Sequence, residues 1–163
     1  MTADRSPGPT AAVRDRRPAV RAARAIWLAL PGDLVGRGVI ALSGAHVTRI
    51  VDVEGAGRVV LAEDPRLGRW LDAIPRVPTA MTFGGVVLAR ARLPDRIVRH
   101  EAEHVRQWTF LGPLFLPAYL CAGAVARLRG LDSYTGNALE RAASLAADLP
   151  TAIRAVDGYH IGS

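Results

Sequence analysis

The chain has 163 residues, half of them hydrophobic, which suffices for one domain with a sizeable core and excludes disorder throughout. Its single cysteine excludes a disulfide framework and any zinc site built from several cysteines. The formal net charge is +6, but the residues before position 26 contribute +4 of it, so the remainder carries only +2. Basic residues are therefore not clustered on the body of the chain, which argues against nucleic-acid binding.

The first 20 residues are rich in proline and arginine and contain little that a core could bury. They are predicted to form a disordered tail. A secretory signal needs a longer apolar stretch than residues 25–30, which Pro31 interrupts, so a cytoplasmic protein is predicted. Residues 21–150 are predicted to form a single domain, and residues 151–163 are left without an assigned structure.

Hydrophobic periodicity and turn residues predict an α+β fold with a small antiparallel sheet and a packed helical C-terminal half. The predicted elements, in chain order, are helices over residues 20–30 and 33–42, a β-hairpin of residues 46–53 and 58–61, a helix over 67–74, a strand over 81–90, a helix opened by Pro94, and a helix over 138–148. Gly84 and Gly85 inside the strand indicate a bulge or the close approach of another backbone.

The segment 109–126 contains no charged residue and has the length of a membrane span on paper. Pro113 and Pro117 divide it, so a proline-broken helix buried against the preceding helix is predicted, with contact to a membrane surface as the alternative. Cys121 lies in this apolar run and is expected to be a buried, unreactive thiol. The residues expected to share one face at helical spacing are Leu116, Tyr119, Leu120 and Ala124.

The stretch from His100 to His104 reads His-Glu-Ala-Glu-His, the pattern H-E-x-x-H. On a helix the two histidines lie one turn apart on the same side, and the glutamate beside the first reaches the same space. This arrangement predicts about one zinc ion per chain, with Glu101 placed as a general base. Helical register puts Glu101 and His104 on the apolar stripe, whereas Glu103 falls on the other side and is predicted to be a solvated residue.

Catalytic zinc needs a third protein ligand besides two histidines. The downstream candidates are Asp132, Glu140, Asp148, Asp157 and His160. Glu140 stands out because it occupies the first turn of the predicted helix over residues 138–148. The same position also suits a capping box, with Asn137 as the N-cap and Glu140 as its partner, and this alternative needs no metal. Spacing alone leaves both interpretations of Glu140 open.

Several segments between residues 80 and 145 match one signature. They are Ala80-Met-Thr-Phe-Gly84 on a strand, His100-Glu-Ala-Glu-His-Val-Arg-Gln107, Leu111-Gly-Pro-Leu-Phe-Leu-Pro-Ala-Tyr-Leu, and a closing motif with Asp132, Tyr134, Asn137, Glu140 and Ala143. Together they resemble small bacterial zincin-like domains of the gluzincin type, whose motif helix reads H-E-L-x-H-V-x-Q. The resemblance implies a minimal zincin-like domain in which zinc is bound by His100, His104 and Glu140. It also implies that Glu101 is the general base.

The resemblance favours a zinc metallopeptidase that acts on a peptide or protein substrate. Such a substrate could add as a strand along the sheet edge formed by residues 81–89. A donor that stabilises the oxyanion is also needed, with Tyr134 as the first candidate and Tyr119 and His160 as alternatives. Two other interpretations stay open. One is a non-catalytic, zinc-stabilised domain for interactions or for a membrane surface, and the other is a metal-free helical protein.

Overall fold

The described residues of this computed structural model are 17–74 and 79–156, with side chains described from residue 29 onward. Within these ranges the chain forms five α-helices and one five-stranded sheet, which confirms the predicted α+β class. The helices are α1 (Arg17–Ser43), α2 (Gly68–Asp72), α3 (Asp95–Leu111), α4 (Phe115–Leu128) and α5 (Ala138–Ala147). The strands are β1 (Arg49–Val53), β2 (Gly57–Glu63), β3 (Ala80–Phe83), β4 (Val86–Ala89) and β5 (Ile153–Ala155).

The sheet is mixed, with the strand order β3-β4-β2-β1-β5, where the sequence predicted an antiparallel one. Strands β2 and β4 run parallel, with Val60 opposite Val86, while the other neighbouring strands are antiparallel. Between β2 and β3 the chain passes through a 3₁₀ turn and α2, and this crossover brings β4 rather than β3 beside β2. A local pattern of strand residues does not reveal such a crossover, because it carries no information on the strand partner.

The single strand predicted over residues 81–90 is a hairpin of β3 and β4, with a turn at Gly84 and Gly85. Gly84 has a φ of +60°, which glycine adopts without strain. Helix α1 passes so close to this turn that a Cβ atom on Gly84 would collide with Asp33. The Asp33 carboxylate also accepts a hydrogen bond from the Gly85 amide at 2.5 Å. The close approach expected from the two glycines is confirmed. Since β4 lies inside the sheet, the free edge predicted over residues 81–89 is limited to β3.

Helix α1 is continuous, where the sequence predicted two helices over residues 20–30 and 33–42. Pro31 lies inside it, although proline removes one backbone hydrogen bond from a helix interior. Packing offsets that loss, since α1 contacts α3, β3 and β4. Because α1 begins at Arg17, residues 17–20 of the predicted tail are helical, and residues 1–16 lie outside the described part of the chain.

The sheet is buried on both faces, and side chains alternate between two hydrophobic clusters. The cluster between the sheet and α3 includes Val59, Leu61, Val98, Ala102 and Val105. The cluster on the opposite face, toward α1 and α2, includes Ile40, Val60, Leu71 and Leu88. Burial on both sides explains the unbroken apolar run in β2, since neither face of that strand meets solvent.

The helical segment predicted over residues 109–126 is broken, as expected, by a 3₁₀ turn at Gly112–Leu114. The rings of Trp108 and Phe115 pack across the break, with centroids 5.0 Å apart. Together with α3, the segment gives one helical run, Asp95–Leu128, that is long and apolar enough to cross a membrane by length and composition alone. Only 22% of its most apolar 18-residue window is buried, so it is not the packed core segment that the sequence predicted.

Burial on α4 is confined to one side, where Phe115, Gly123 and Ala126 face the rest of the molecule. On the other side Leu120 is exposed, and so is Cys121, so the predicted burial of this thiol is wrong. The reason is tertiary, because α3 and α5 contact α4 and yet leave this second side of the helix open. The hydropathy of the sequence predicts that α4 is apolar, but it does not predict which sides of the helix other elements cover.

The remaining elements lie close to their predicted positions. The hairpin of β1 and β2, the short helix α2 and the helix α5 are confirmed. Residues 153–155, which the sequence left without structure, form β5 and pair with β1, with Ala155 opposite Val51. The candidate ligands Asp157 and His160 lie outside the described residues.

Glu63, at the end of β2, joins the sheet to the loop before α3. Its carboxylate accepts hydrogen bonds from the Arg49 guanidinium at 2.8 and 3.0 Å, the Leu93 amide at 2.8 Å and the Thr48 hydroxyl at 3.1 Å. Burial by itself raises the pKa of the Glu63 carboxyl. These hydrogen bonds, led by those from Arg49, outweigh burial and hold that pKa below its ordinary value of 4.5.

Glu63→Gln is expected to lower the free energy of unfolding by about 1.5–3 kcal/mol at neutral pH, because it replaces charge-assisted hydrogen bonds. The folded-state pKa lies below the unfolded-state pKa, so the contribution of the charge is fully present above the unfolded value and is lost as the pH falls through the folded one. Urea denaturation should therefore separate wild type from Glu63→Gln at neutral pH, and the two should converge as the pH falls through the folded-state pKa, which lies below 4.5. A difference that stays constant into strong acid would contradict this role.

Candidate metal centre

Helix α3 carries both histidines of the H-E-x-x-H motif. It begins after Pro94, whose backbone is extended with ψ of 153°, and Asp95 in its first turn complements the helix dipole. Its apolar residues pack on the sheet, which fixes the rotation of α3 about its axis. The α3 side chains that this rotation presents to a cavity beside β3 and α4 are His100, Glu101 and His104.

Three potential metal ligands, His100, His104 and Glu140, converge on one point. His100 Nε2 lies 3.2 Å from Glu140 Oε2, and His104 Nε2 lies 3.4 Å from Glu140 Oε1. One ligand atom from each residue lies within 4.8 Å of the other two. His104 and Glu140 are buried, and His100 is partly buried. The structure thus brings together the three residues predicted as ligands, and this group could hold a metal ion.

Glu140 reaches the histidines from the first turn of α5. The predicted N-cap is confirmed, because the Asn137 side-chain oxygen accepts a hydrogen bond from the Leu139 amide at 2.9 Å. The Asn137 amide donates to the Tyr134 carbonyl at 3.0 Å and not to Glu140, so the capping box is not formed. The carboxylate of Glu140 is instead directed at the two imidazoles.

The other described candidates for the third ligand lie elsewhere. Asp132 is exposed, and its carboxylate accepts hydrogen bonds from the Tyr134 and Thr135 amides at 2.9 Å. Asp148 is exposed as well and pairs with Arg96 at 2.9 Å. Within residues 17–74 and 79–156, neither belongs to a group of three potential ligands.

Gln107 sets the tautomer of His104. Its amide nitrogen donates to the Leu139 carbonyl at 3.1 Å, so its amide oxygen is the atom that lies 2.9 Å from His104 Nδ1. An amide oxygen only accepts, so Nδ1 carries the proton, and the neutral ring presents its Nε2 lone pair to Glu140. Metal-binding histidines commonly have such a partner on the second ring nitrogen.

The contacts of Glu140 fit a ligand role. The lone pairs of neutral His104 Nε2 and of Glu140 Oε1 face each other at 3.4 Å, which is unfavourable unless a proton or a metal cation lies between them. Glu140 Oε2 is buried and makes no hydrogen bond within the described part of the chain. Buried polar atoms without a partner are rare, and this one lies beside two imidazole nitrogens. The donor set therefore fits a transition metal such as zinc.

Charges in the site keep Glu140 ionised and the nearby phenols protonated. Burial alone raises the pKa of the Glu140 carboxyl, but the two imidazoles and the Tyr119 hydroxyl, which donates to Oε1 at 2.6 Å, hold that pKa well below its usual range. Burial lowers the pKa of His104, and the Glu140 and Glu101 carboxylates raise it by more. Burial and the Glu140 carboxylate raise the pKa values of Tyr119 and Tyr134, so both phenols are donors at neutral pH.

Glu101 lies in the same cavity, where Thr82 holds it. The buried hydroxyl of Thr82 donates to Glu101 Oε2 at 2.6 Å. Thr82 is itself fixed, because its carbonyl accepts a hydrogen bond from the Trp108 indole at 3.2 Å. Glu101 is buried on the apolar side of α3, as predicted, and its partner is a neutral hydroxyl.

A cavity of about 600 Å³ adjoins the group of His100, His104 and Glu140. Its polar lining includes His100, Glu101, His104, Tyr119, Tyr134 and Glu140. Most of the other lining residues are apolar and come from β3 and α4, among them Met81, Phe83, Phe115, Leu116 and Leu120. Tyr134, predicted as the oxyanion donor, and its alternative Tyr119 therefore both lie in the wall of the cavity, beside the ligand group.

Sequence reasoning missed the role of Gln107 and placed Glu103 wrongly on a solvated face. Both side chains are buried, because α5 packs against this side of α3. Arg106 is exposed and donates two hydrogen bonds of 2.7 Å to the Glu103 carboxylate. One signal was available, since Gln107 follows His104 by three residues and side chains at that spacing are neighbours on a helix.

Gln107→Leu is expected to lower the affinity of the site for zinc about 10- to 100-fold, because it removes the acceptor that holds His104 in its metal-binding tautomer. The measurement is a competition titration against a chromophoric chelator. Arg106→Leu is the matched control, since it removes a partner of Glu103 on the same helix and contacts neither histidine. Equal zinc affinity in wild type and Gln107→Leu would contradict a positioning role for the amide.

Comparison of the chain with protein-family models, with curated proteins and with solved structures finds no match. The resemblance of residues 80–145 to zincin-like domains therefore stays a prediction. The group that could hold a metal ion is defined by the positions of three side chains on α3 and α5.

Proposed function

We propose that the chain is a zinc-dependent hydrolase that cleaves peptide bonds, with zinc held by His100, His104 and Glu140. The observation that carries the proposal is the convergence of these three residues beside Glu101 in one cavity. Three protein ligands leave one position of a tetrahedral site open, which is typical of catalytic zinc and not of structural zinc. Bound zinc supplies Lewis-acid chemistry at this position.

Glu101 is the proposed general base. Its carboxylate is oriented by the Thr82 hydroxyl at 2.6 Å, so one oxygen has a fixed direction in the cavity. In the proposed reaction it accepts a proton from the attacking water and passes it to the leaving amine. The apolar wall of the cavity limits the access of bulk water to this carboxylate.

Tyr134 is the proposed donor to the oxyanion. It lines the cavity, and its raised pKa keeps the phenol protonated through the neutral range. Tyr119 has the same chemistry, and its hydroxyl donates to Glu140 Oε1 at 2.6 Å. Tyr134 also interacts with the Glu140 carboxylate, so both phenols lie beside the ligand group, and we assign the donation to the substrate oxyanion to Tyr134.

The substrate is proposed to add to the free edge of β3. Phe83 and Val86 flank the hairpin turn as a hydrogen-bonded pair, so the alternate residues Thr82 and Ala80 direct their amides and carbonyls outward. The Thr82 carbonyl is already taken by Trp108 and Thr82 is buried, so the amide and carbonyl of the partly exposed Ala80 are the groups proposed to pair with an incoming peptide. Such a strand would place alternate side chains in the apolar part of the cavity.

Metal analysis of purified protein tests the proposal. Wild type prepared without chelator is expected to contain about one zinc per chain, and His104→Ala is expected to lose it. His46→Ala is the matched control, because His46 is an exposed histidine that lies before β1 and outside the ligand group. Wild-type protein that carries no transition metal, and gains none on titration, would refute the zinc site.

A further inference from the structure

Helix α4 and the residues at its ends expose many large apolar side chains, and we call this exposed side the outer face. The large apolar side chains exposed on α4 and at its two ends are Phe110, Leu114, Leu116, Leu120, Val125, Leu128 and Leu131. Single exposed leucines are normal on a protein surface, but seven large exposed apolar side chains within residues 110–131 mark an interaction site. A surface helix of a soluble domain instead presents polar residues to water.

The outer face carries positive charge and no negative charge. No acidic residue occurs in the sequence between Glu103 and Asp132. Arg127 and Arg129, at the C-terminal end of α4, are exposed. Apolar side chains flanked by arginines match the boundary between acyl chains and anionic headgroups of a bilayer.

We propose that the outer face of α4 docks on the surface of a membrane that contains anionic phospholipids. Helix α4 has 14 residues and is about 21 Å long, which is too short to span the hydrocarbon core by itself, and the 3₁₀ turn at Gly112–Leu114 separates it from α3, which packs on the sheet. Its opposite side, with Phe115, Gly123 and Ala126, is buried against the protein. The helix therefore lies along the interface, with its outer face toward the lipid.

The outer face is continuous with the wall of the cavity at the metal-binding group. Leu116, Leu120, Ala124 and Arg127 are exposed, and all four also line that cavity. Docking therefore brings the mouth of the cavity to the bilayer surface. Apolar segments at that surface would be the substrates within reach. Docking itself does not depend on the proposed hydrolase activity.

A second copy of the chain fits this face less well. In a symmetric dimer the same patch meets itself, so Arg127 and Arg129 would face a patch built from residues 110–131, a stretch that contains no acidic residue. Anionic headgroups supply the counter-charges that a second copy lacks. Binding to vesicles and formation of a dimer without lipid distinguish the membrane from a second copy of the chain.

The sole cysteine, Cys121, is exposed on the outer face and allows a direct measurement. The full chain is labelled there with an environment-sensitive fluorophore and mixed with vesicles of phosphatidylcholine, with or without phosphatidylglycerol. We expect a blue-shifted, brighter emission with phosphatidylglycerol vesicles, and quenching of that emission by nitroxide-labelled lipids. Arg127→Gln combined with Arg129→Gln is expected to remove the preference for phosphatidylglycerol. No change in emission with the anionic vesicles would overturn the proposal.

Unlabelled variants test the outer face by vesicle flotation. Leu120→Glu and Leu128→Glu are each expected to weaken binding by about tenfold or more, because each replaces a buried apolar contact with a charge. Leu145→Glu is the matched control, since Leu145 lies on α5 and has the same exposed fraction as Leu120, 71%. Circular dichroism confirms that each variant is folded. Equal binding by all three variants, or a dimer that forms without lipid and is disrupted by Leu128→Glu, would overturn docking on lipid.

Discussion

Glu140→Ala is expected to weaken zinc binding at least about 100-fold, because it removes one of three protein ligands, and loss of an outer partner alone costs about 10- to 100-fold. The variant should also lose the thermal stabilisation that added zinc gives to wild type, since a ligand stabilises only the state that binds it. The measurements are a chelator competition titration and thermal unfolding with and without zinc. Both rest on the position of the Glu140 carboxylate between two imidazole nitrogens.

Glu63→Ala is the matched control for Glu140→Ala. Both carboxylates are buried and accept several hydrogen bonds, but Glu63 lies at the end of β2, outside the ligand group. Its removal should lower stability and leave zinc affinity unchanged. A cap residue without a ligand role would cost about 1 kcal/mol on truncation. If Glu140→Ala keeps the zinc affinity of wild type, Glu140 is not a zinc ligand and serves only the N-terminus of α5. The zinc site would then lack its third protein ligand.

The helical part of the site could be predicted from the sequence, because its geometry is local. His100 and His104 lie one turn apart on any α-helix, and Glu101 follows from the same period. The role of Glu140 could not be decided from spacing, since a cap partner and a ligand occupy the same helical position. Packing of α5 against α3 directs the carboxylate toward the imidazoles, where the three side chains could hold a metal ion.

The parts of the molecule that sequence reasoning misplaced depend on neighbours distant in the chain. Glu103 was assigned to a solvated side of α3 because nothing local indicates that α5 covers that side. Thr82 became the partner of Glu101 through the hairpin of β3 and β4, which the sequence presented as one strand. The outer face of α4 was expected to be buried, since hydropathy does not distinguish a core helix from an unpartnered one.

Glu101→Gln is expected to lower peptide hydrolysis at least about 100-fold while zinc content stays at the wild-type level. Glutamine keeps the size of the side chain and can still accept the Thr82 hydrogen bond, which is 2.6 Å long in the wild type. It cannot take up a proton, so only the general-base function is removed. The assay is cleavage of a peptide library or an unfolded protein, with zinc measured on the same samples.

The experiment distinguishes three cases, because zinc binding and proton transfer depend on different residues. A large loss of turnover with zinc retained supports the peptidase. Equal cleavage by wild type and Glu101→Gln would mean that another base or a contaminant acts, and the peptidase assignment would fail. Zinc bound by both proteins, with no cleavage by either across the library, would favour the non-catalytic, zinc-stabilised domain. Glu63→Gln, which alters a buried carboxylate outside the cavity, should retain turnover within about twofold and so excludes a general effect of the lost charge.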